Sequence, residues 1–205
     1  MNCRGFLSIV SSIFILSQLY CSPVHISSGE SLKAAGYDSI VVEQPSPDVQ
    51  LALDRFTAFK GDLQKRLIGA IQEKGAPYAI QVCSVASPEM EEKHSEDSWK
   101  IYRVSDKPRN PNHRANEFEA VVIEMWKQRI SAEKPLKPVH FRTEKEEYVM
   151  SPIPVQAGLC LQCHGSAEDI KPETRAAIEQ AYPQDEATGY SLNELRGAFV
   201  SRRSL

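Results

Sequence analysis

Five residues, Cys160-Leu161-Gln162-Cys163-His164, constrain this chain more than any other feature. A Cys-x-x-Cys-His run is the attachment pattern of c-type haem. Two thiols add across the two vinyl groups of the porphyrin as thioethers. The two-residue spacer lets both sulfurs reach one porphyrin edge, and the adjacent imidazole falls under the iron as an axial ligand. A chain carrying this run has to fold around a flat macrocycle, which supplies the chemistry while the protein tunes it. The expectation is one covalently attached haem c, held by Cys160, Cys163 and His164.

Three plainer readings use the same residues. Cys160 and Cys163 have the spacing of half a zinc ribbon, but no second Cys-x-x-Cys follows. Cys83 is a conceivable further zinc ligand, whereas His164 directly abuts Cys163 and suits a fourth position poorly. A dithiol redox pair would sit in a thioredoxin-like strand and helix context, which is missing around the motif. A simple Cys160–Cys163 disulfide is the third reading.

Haem c is attached outside the bacterial cytoplasm, so an export signal is expected. Met1 to Arg4 is a short positive region, and Phe6 to Leu19 is apolar but interrupted by serines and a glutamine. That core is short for a membrane span and reads as a signal peptide over 1–21. Cys21 stands where a lipoprotein cysteine would, although Gln18-Leu19-Tyr20 is a poor lipobox. Ordinary cleavage near Cys21 or Ser22, lipidation of Cys21 and an uncleaved membrane tether all stay open. The expected location is periplasmic or otherwise extracytoplasmic.

Removal of the signal leaves roughly 180 residues, enough for one domain with a sizeable core. The formal net charge of −3 gives no footing for nucleic acid. Residues 22–45 are mixed and serine-rich and read as a tether or loose lead-in, with the domain proper over 46–205. Ser46-Pro47-Asp48 reads as a helix start, with a serine cap and proline in the first turn. Apolar residues from Val49 to Ile71 recur at helical spacing, and Gly75 is a natural stop. Pro77 opens a second helix with Ala79, Ile80, Cys83 and Ala86 on a small apolar face. Strands are expected over 100–104, 139–143, 147–153 and 195–200, and further helices over 116–131 and 172–182. Helices and strands mix without a βαβ repeat, which predicts an α+β domain with a long N-terminal helix.

The second axial position is open to Cys83, Met90, Met125, Met150, His25, His94, His113 and His140. Cys83 is favoured because its small apolar helix face would let a flat macrocycle approach closely. The plain alternative is a buried cysteine with no ligand role. Thiolate ligation would add electron density to the iron and give a low potential, the opposite of Met/His ligation. For the two propionates, Arg103, Arg109, Arg114, Arg142 and Arg196 are available. Arg109 is the choice because Pro108 and Pro111 fix its loop.

Several of these residues form a recognisable set. Ala79-Ile80-Gln81-Val82-Cys83, Arg109-Asn110-Pro111-Asn112, Cys160 to Gly165, Ala187-Thr188-Gly189-Tyr190 and Leu195-Arg196-Gly197-Ala198 occur in this order. In them the chain resembles the haem-c-binding PAS-like domains, known as free exported proteins and as sensor modules of bacterial signalling proteins. The resemblance spans nearly all of the chain after the signal. It implies a PAS-like antiparallel sheet flanked by helices, and axial ligation by His164 and Cys83. One departure is Asn193, where the family tends to have glycine. Asparagine tolerates left-handed backbone, so a turn can survive there.

The expected function is a redox or small-ligand sensor that passes its signal to a separate redox or signalling protein. A periplasmic electron-transfer cytochrome is the alternative. A haem peroxidase ranks third, because the sequence has no recognisable distal acid–base motif, and no enzyme activity is expected.

Overall fold

The computed structural model describes residues 23–205 apart from Asp97. The expectations for the signal segment, Cys3 and Cys21 therefore lie outside the described residues. Among those described, no helix is long and apolar enough to cross a membrane.

The elements run β1 (Val24–His25), α1 (Gly29–Ala35), α2 (Tyr37–Ile40), α3 (Pro47–Lys93), β2 (Lys100–Val104), α4 (Glu117–Ser131), β3 (Val139–Arg142), β4 (Glu146–Pro154), α5 (Gly158–His164), α6 (Pro172–Ala181) and β5 (Leu195–Ser204). The strands form one sheet in the order β1-β3-β4-β5-β2. All pairings are antiparallel except β1 with β3. This is the expected α+β architecture with one parallel edge added.

Side chains alternate across a strand, and here both faces are covered. Tyr148 and Met150 of β4, with Ala198 and Val200 of β5, pack on α4 around the fully buried Trp126. Val149 and Phe199 point the other way, to Val49, Ala52, Phe56 and Phe59 of α3. The sheet is therefore the middle of three layers. That explains why β4 and β5 read as nearly continuous apolar runs rather than as clean alternation.

The described residues 23–45 correct the reading of 22–45 as a tether or loose lead-in. They are not a tether: Ile26, Leu32 and Ile40 are buried in the α4 side of the core. Ser28 and Ser31 form a reciprocal capping box that starts α1. The serines that suggested a loose lead-in are thus helix caps and turn residues.

α3 begins as expected, with the Ser46 hydroxyl accepting from the Val49 amide and Pro47 in the first turn. It is broken where glycine was expected to stop it. Lys74 leaves helical geometry and Gly75 takes φ 82°, a left-handed value that glycine adopts without a steric penalty. The second arm folds back along the first. Asp62 meets Lys93 at 2.7 Å and His94 at 3.0 Å, and Phe59 packs on the His94 ring. This hairpin carries Cys83 back toward the C-terminal third of the chain.

Near the start of the central strand β4, Glu147 is 2% exposed and meets His140, Arg142 and Arg203 at 2.7, 3.1 and 2.7 Å. Burial alone would raise its pKa, but hydrogen bonds from His140, Arg203 and Arg142 prevail and hold it at about 2. A carboxylate depressed on folding contributes stability above its unfolded value, and this is lost as pH falls through the folded value. Urea unfolding midpoints are expected to drop as pH falls from about 4.5 toward about 2. Glu147→Gln should flatten that dependence while lowering stability at neutral pH.

Candidate functional site

α5 is a two-turn helix that carries the whole Cys-x-x-Cys-His run. Cys160 and Cys163 are both free thiols, as is Cys83. The following segment clamps the end of α5 by backbone hydrogen bonds. The Gly189 amide donates to the Gly165 carbonyl at 2.7 Å, and the Tyr190 amide to the His164 carbonyl at 2.9 Å. Gly189 needs φ 76° to make this turn. Gly165 has no room for a side chain, since a Cβ would lie 2.6 Å from Asp169 and 2.7 Å from the Leu161 carbonyl.

His164 is oriented through Nδ1, which lies 2.8 Å from the Ala187 carbonyl oxygen. A carbonyl only accepts, so Nδ1 carries the proton and Nε2 keeps a free lone pair. This tautomer is the one that metal ligation through Nε2 requires. Burial holds the His164 pKa well below 6.5, assisted by the positive charges of Arg196 and Arg109, so the ring is neutral. Tyr190 stands edge-on to it, with ring centroids 6.3 Å apart.

Arg109 lies beside this site, but its fork is engaged. Its Nε and Nη2 donate to Asp185 at 3.1 and 3.2 Å, and Nη2 also reaches the carbonyl of Cys163 at 2.5 Å. Asp185 in turn accepts from the Ala187 amide at 2.9 Å. A chain of contacts therefore runs from Arg109 through Asp185 and Ala187 to His164. In this structure Arg109, expected at a propionate, is tied to a carboxylate of the protein and to the last turn of α5.

Cys83 is on the second arm of α3, which packs on α6, and is near enough to Cys163 to act on it electrostatically. Ile80, one helical turn earlier on the same face, packs in one cluster with Cys163, Ile178 and Tyr182. Burial raises the pKa of the Cys163 thiol; Arg109 opposes the rise, and Cys83 and Cys160 add to it. Cys83 is itself raised by burial and pulled the other way by Arg103 and Arg66. A cleft of about 370 Å³ opens beside it, lined by Ser84, Asn110, Pro111 and Tyr182 among others.

Most other axial candidates have partners elsewhere. Met125 and Met150 are in the α4 side of the core, and Met90 packs on the α3 side. His94 meets Asp62, His113 meets Glu91, and His140 meets Glu147. His25 lies on the edge strand β1. Among the described residues no three His, Cys, Asp or Glu side chains converge as a metal cage would need. A haem makes no such demand, because it brings four nitrogens and asks for two thiols and one or two axial donors. The thiols of α5, the lone pair of His164 and the nearby Cys83 fit that request.

Sequence reasoning missed Asp185 and the role of the Ala187 carbonyl. The one available signal was local: an aspartate whose side chain can accept from the amide two residues on. Asn193 takes φ 69° and its amide donates to the Val155 carbonyl at 2.8 Å, so the turn survives the departure from glycine.

A search of curated proteins returned no match. Among solved structures, the cyanobacterial heme-protein Tll0287 is similar, with a TM-score of 0.55 and 22% identity, over 77% of this chain and 95% of that one. At that identity the likeness is one of fold. The family model described as Tll0287-like matches residues 32–203. The match takes in both arms of α3, the Cys-x-x-Cys-His helix and the segment that clamps it, and so the chain belongs to the Tll0287-like family.

Proposed function

We propose that this protein carries one haem c, bound through Cys160 and Cys163, with His164 and Cys83 as axial ligands, and acts as an exported redox or small-ligand sensor. The observation that carries the reading is His164 on α5, its Nδ1 engaged by the Ala187 carbonyl at 2.8 Å, on the same short helix as two free thiols. The family match and the similar fold of a haem protein support it.

The bound haem would supply iron redox chemistry and an exchangeable coordination position. The protein's own part is positional. Ala187 fixes the imidazole tautomer, the Arg109–Asp185 pair fixes Ala187, and Cys83 stands ready as the opposing donor. Arg103 and Arg66 favour the thiolate form of Cys83, whereas burial favours the thiol. A ligand balanced in this way suits a site whose coordination changes with iron oxidation state. The signal would pass to a separate redox or signalling partner outside the cytoplasm.

One observation favours a carrier instead. Val85 and Leu159, within two positions of site cysteines in sequence, are 63% and 39% exposed. Such apolar side chains would suit brief docking with a redox partner. A midpoint potential well above zero would select the carrier.

The first test is a pyridine haemochrome spectrum of protein exported from a strain with the haem-c maturation machinery. A c-type α-band that stays with the denatured chain, and is lost in Cys160→Ser/Cys163→Ser, is the expected result. Haem-free protein holding zinc, or reactive free thiols, would overturn the reading.

A further inference from the structure

Arg196 is the one site arginine with a second, unusual feature. It sits on β5, beside Gly197, where β5 passes so close to β2 that a Cβ at position 197 would lie 2.3 Å from the Val104 carbonyl. This approach drives the Arg196 side chain into the site. Its Nε lies 3.3 Å from Nδ1 of His164, and its Nη1 donates to the Lys107 carbonyl at 3.3 Å. Its guanidinium lies 5.6 Å from the centre of the Tyr190 ring.

Two donors cannot share one hydrogen bond. Because Nδ1–H is committed to the Ala187 carbonyl at the shorter distance, the Arg196 contact is that of a charge beside a ring. Among the described residues Arg196 has no carboxylate within ion-pair distance. The nearby Asp185 is held by Arg109. Burial lowers the Arg196 pKa to about 10, so the guanidinium stays charged at neutral pH. A buried cation without a counter-ion is costly and calls for a reason. The same locality holds the hydroxyl of Tyr190, which is buried and has no hydrogen-bond partner.

We propose that Arg196 is the positioning residue behind the axial histidine, a fixed positive charge 3.3 Å from Nδ1 of His164 that raises the potential of the metal His164 would ligate. The inference rests on the haem reading above. A cation next to Nδ1 draws ring electron density away from Nε2, so His164 is a weaker donor than a histidine paired with a carboxylate. It also repels ferric iron more than ferrous iron, which shifts the couple toward reduction. Arg196 would in this way offset part of the potential lowering that a thiolate ligand causes.

The test is a redox titration of the holoprotein with Arg196→Met and Arg196→Lys, alongside resonance Raman spectra of the iron–histidine stretch. Arg196→Met is expected to lower the equilibrium constant for reduction about tenfold, which is 59 mV for a one-electron couple. The iron–histidine frequency should rise in the same variant. Arg196→Lys keeps the charge and should restore most of the wild-type potential, which a merely structural arginine would not require. Wild-type potential in Arg196→Met, with haem and His164 ligation intact, overturns the role of Arg196 and leaves the haem reading standing. If Arg196→Met does not fold, Arg196→Gln, which keeps a donor for the Lys107 carbonyl without the charge, should lower the potential, and no shift there overturns the proposal. Wild-type protein without covalent haem overturns both the proposal and the reading beneath it.

Discussion

Replacing Cys83 with alanine is expected to change a site closed on both sides into one that takes carbon monoxide when ferrous and cyanide when ferric. The wild-type protein should react with either only where the thiolate has left. The argument begins with placement. Cys83 is on the arm of α3 that packs on α6, close enough to Cys163 and Tyr182 to act on both electrostatically. Burial pushes its thiol up, so a thiolate there needs a partner; Arg103 and Arg66 oppose the rise, and a bound iron would complete the compensation. Without the sulfur, nothing else among the candidate ligands is at hand, because Met125 and Met150 lie in the α4 side of the core. The potential of the variant should rise, since the electron density of the thiolate is gone, and Cys83→Met should raise it as well. The apoprotein should lose at most about 1 kcal/mol, since a half-buried cysteine is a small side chain. Optical titration with both gases or anions, beside a denaturant curve, separates loss of a ligand from loss of fold. An unchanged spectrum in Cys83→Ala would remove Cys83 from the coordination sphere.

The parts of this architecture that depend on short-range chemistry could be read from the residues. The Ser46-Pro47 start, the interruption at Gly75 and the helix from about Asn116 to Ser131 each rest on neighbours within a few positions. The two small-residue turns of α3 that carry Cys83 were legible for the same reason. What escaped was contact between distant segments. β1 is two residues long and pairs with β3 across more than a hundred positions, so no periodicity could announce it. Ile26, Leu32 and Ile40 are single apolar residues in polar company, and only the packed structure shows that they join the core. At the proposed site, the spacing singled out Cys160, Cys163 and His164, which lie on one short helix, but not the residues that orient them. Arg109 seemed free for a ligand because a sequence shows a charge but not the carboxylate 76 positions away that occupies it. Arg196 was one arginine among five until the fold placed it against His164.

The Arg109–Asp185 pair should give the largest stability effect of any single charge in the site. Its side chains are 12% and 8% exposed, so neither charge is well hydrated. Removing one partner of a buried pair leaves the other without compensation, at a cost of about 3–5 kcal/mol. Asp185→Ala is therefore expected to lower the denaturant midpoint sharply. Arg109→Leu/Asp185→Leu should recover much of the loss, because two apolar side chains leave no stranded charge. Asp185→Asn separates charge from orientation. It can still accept from the Ala187 amide, which Asp185 now does at 2.9 Å, but it no longer neutralises Arg109. It should lose stability while keeping Ala187, and through it the His164 ring, in place. Asp185→Ala and the double variant should both loosen the ring, because each removes the acceptor that holds Ala187. The readout is the iron–histidine frequency measured beside the unfolding curve. Stability recovered in the double variant without recovery of that frequency would identify Asp185 as the residue that sets the imidazole. Recovery of both would assign the ring's orientation to the α5 backbone and the Gly189–Tyr190 clamp alone.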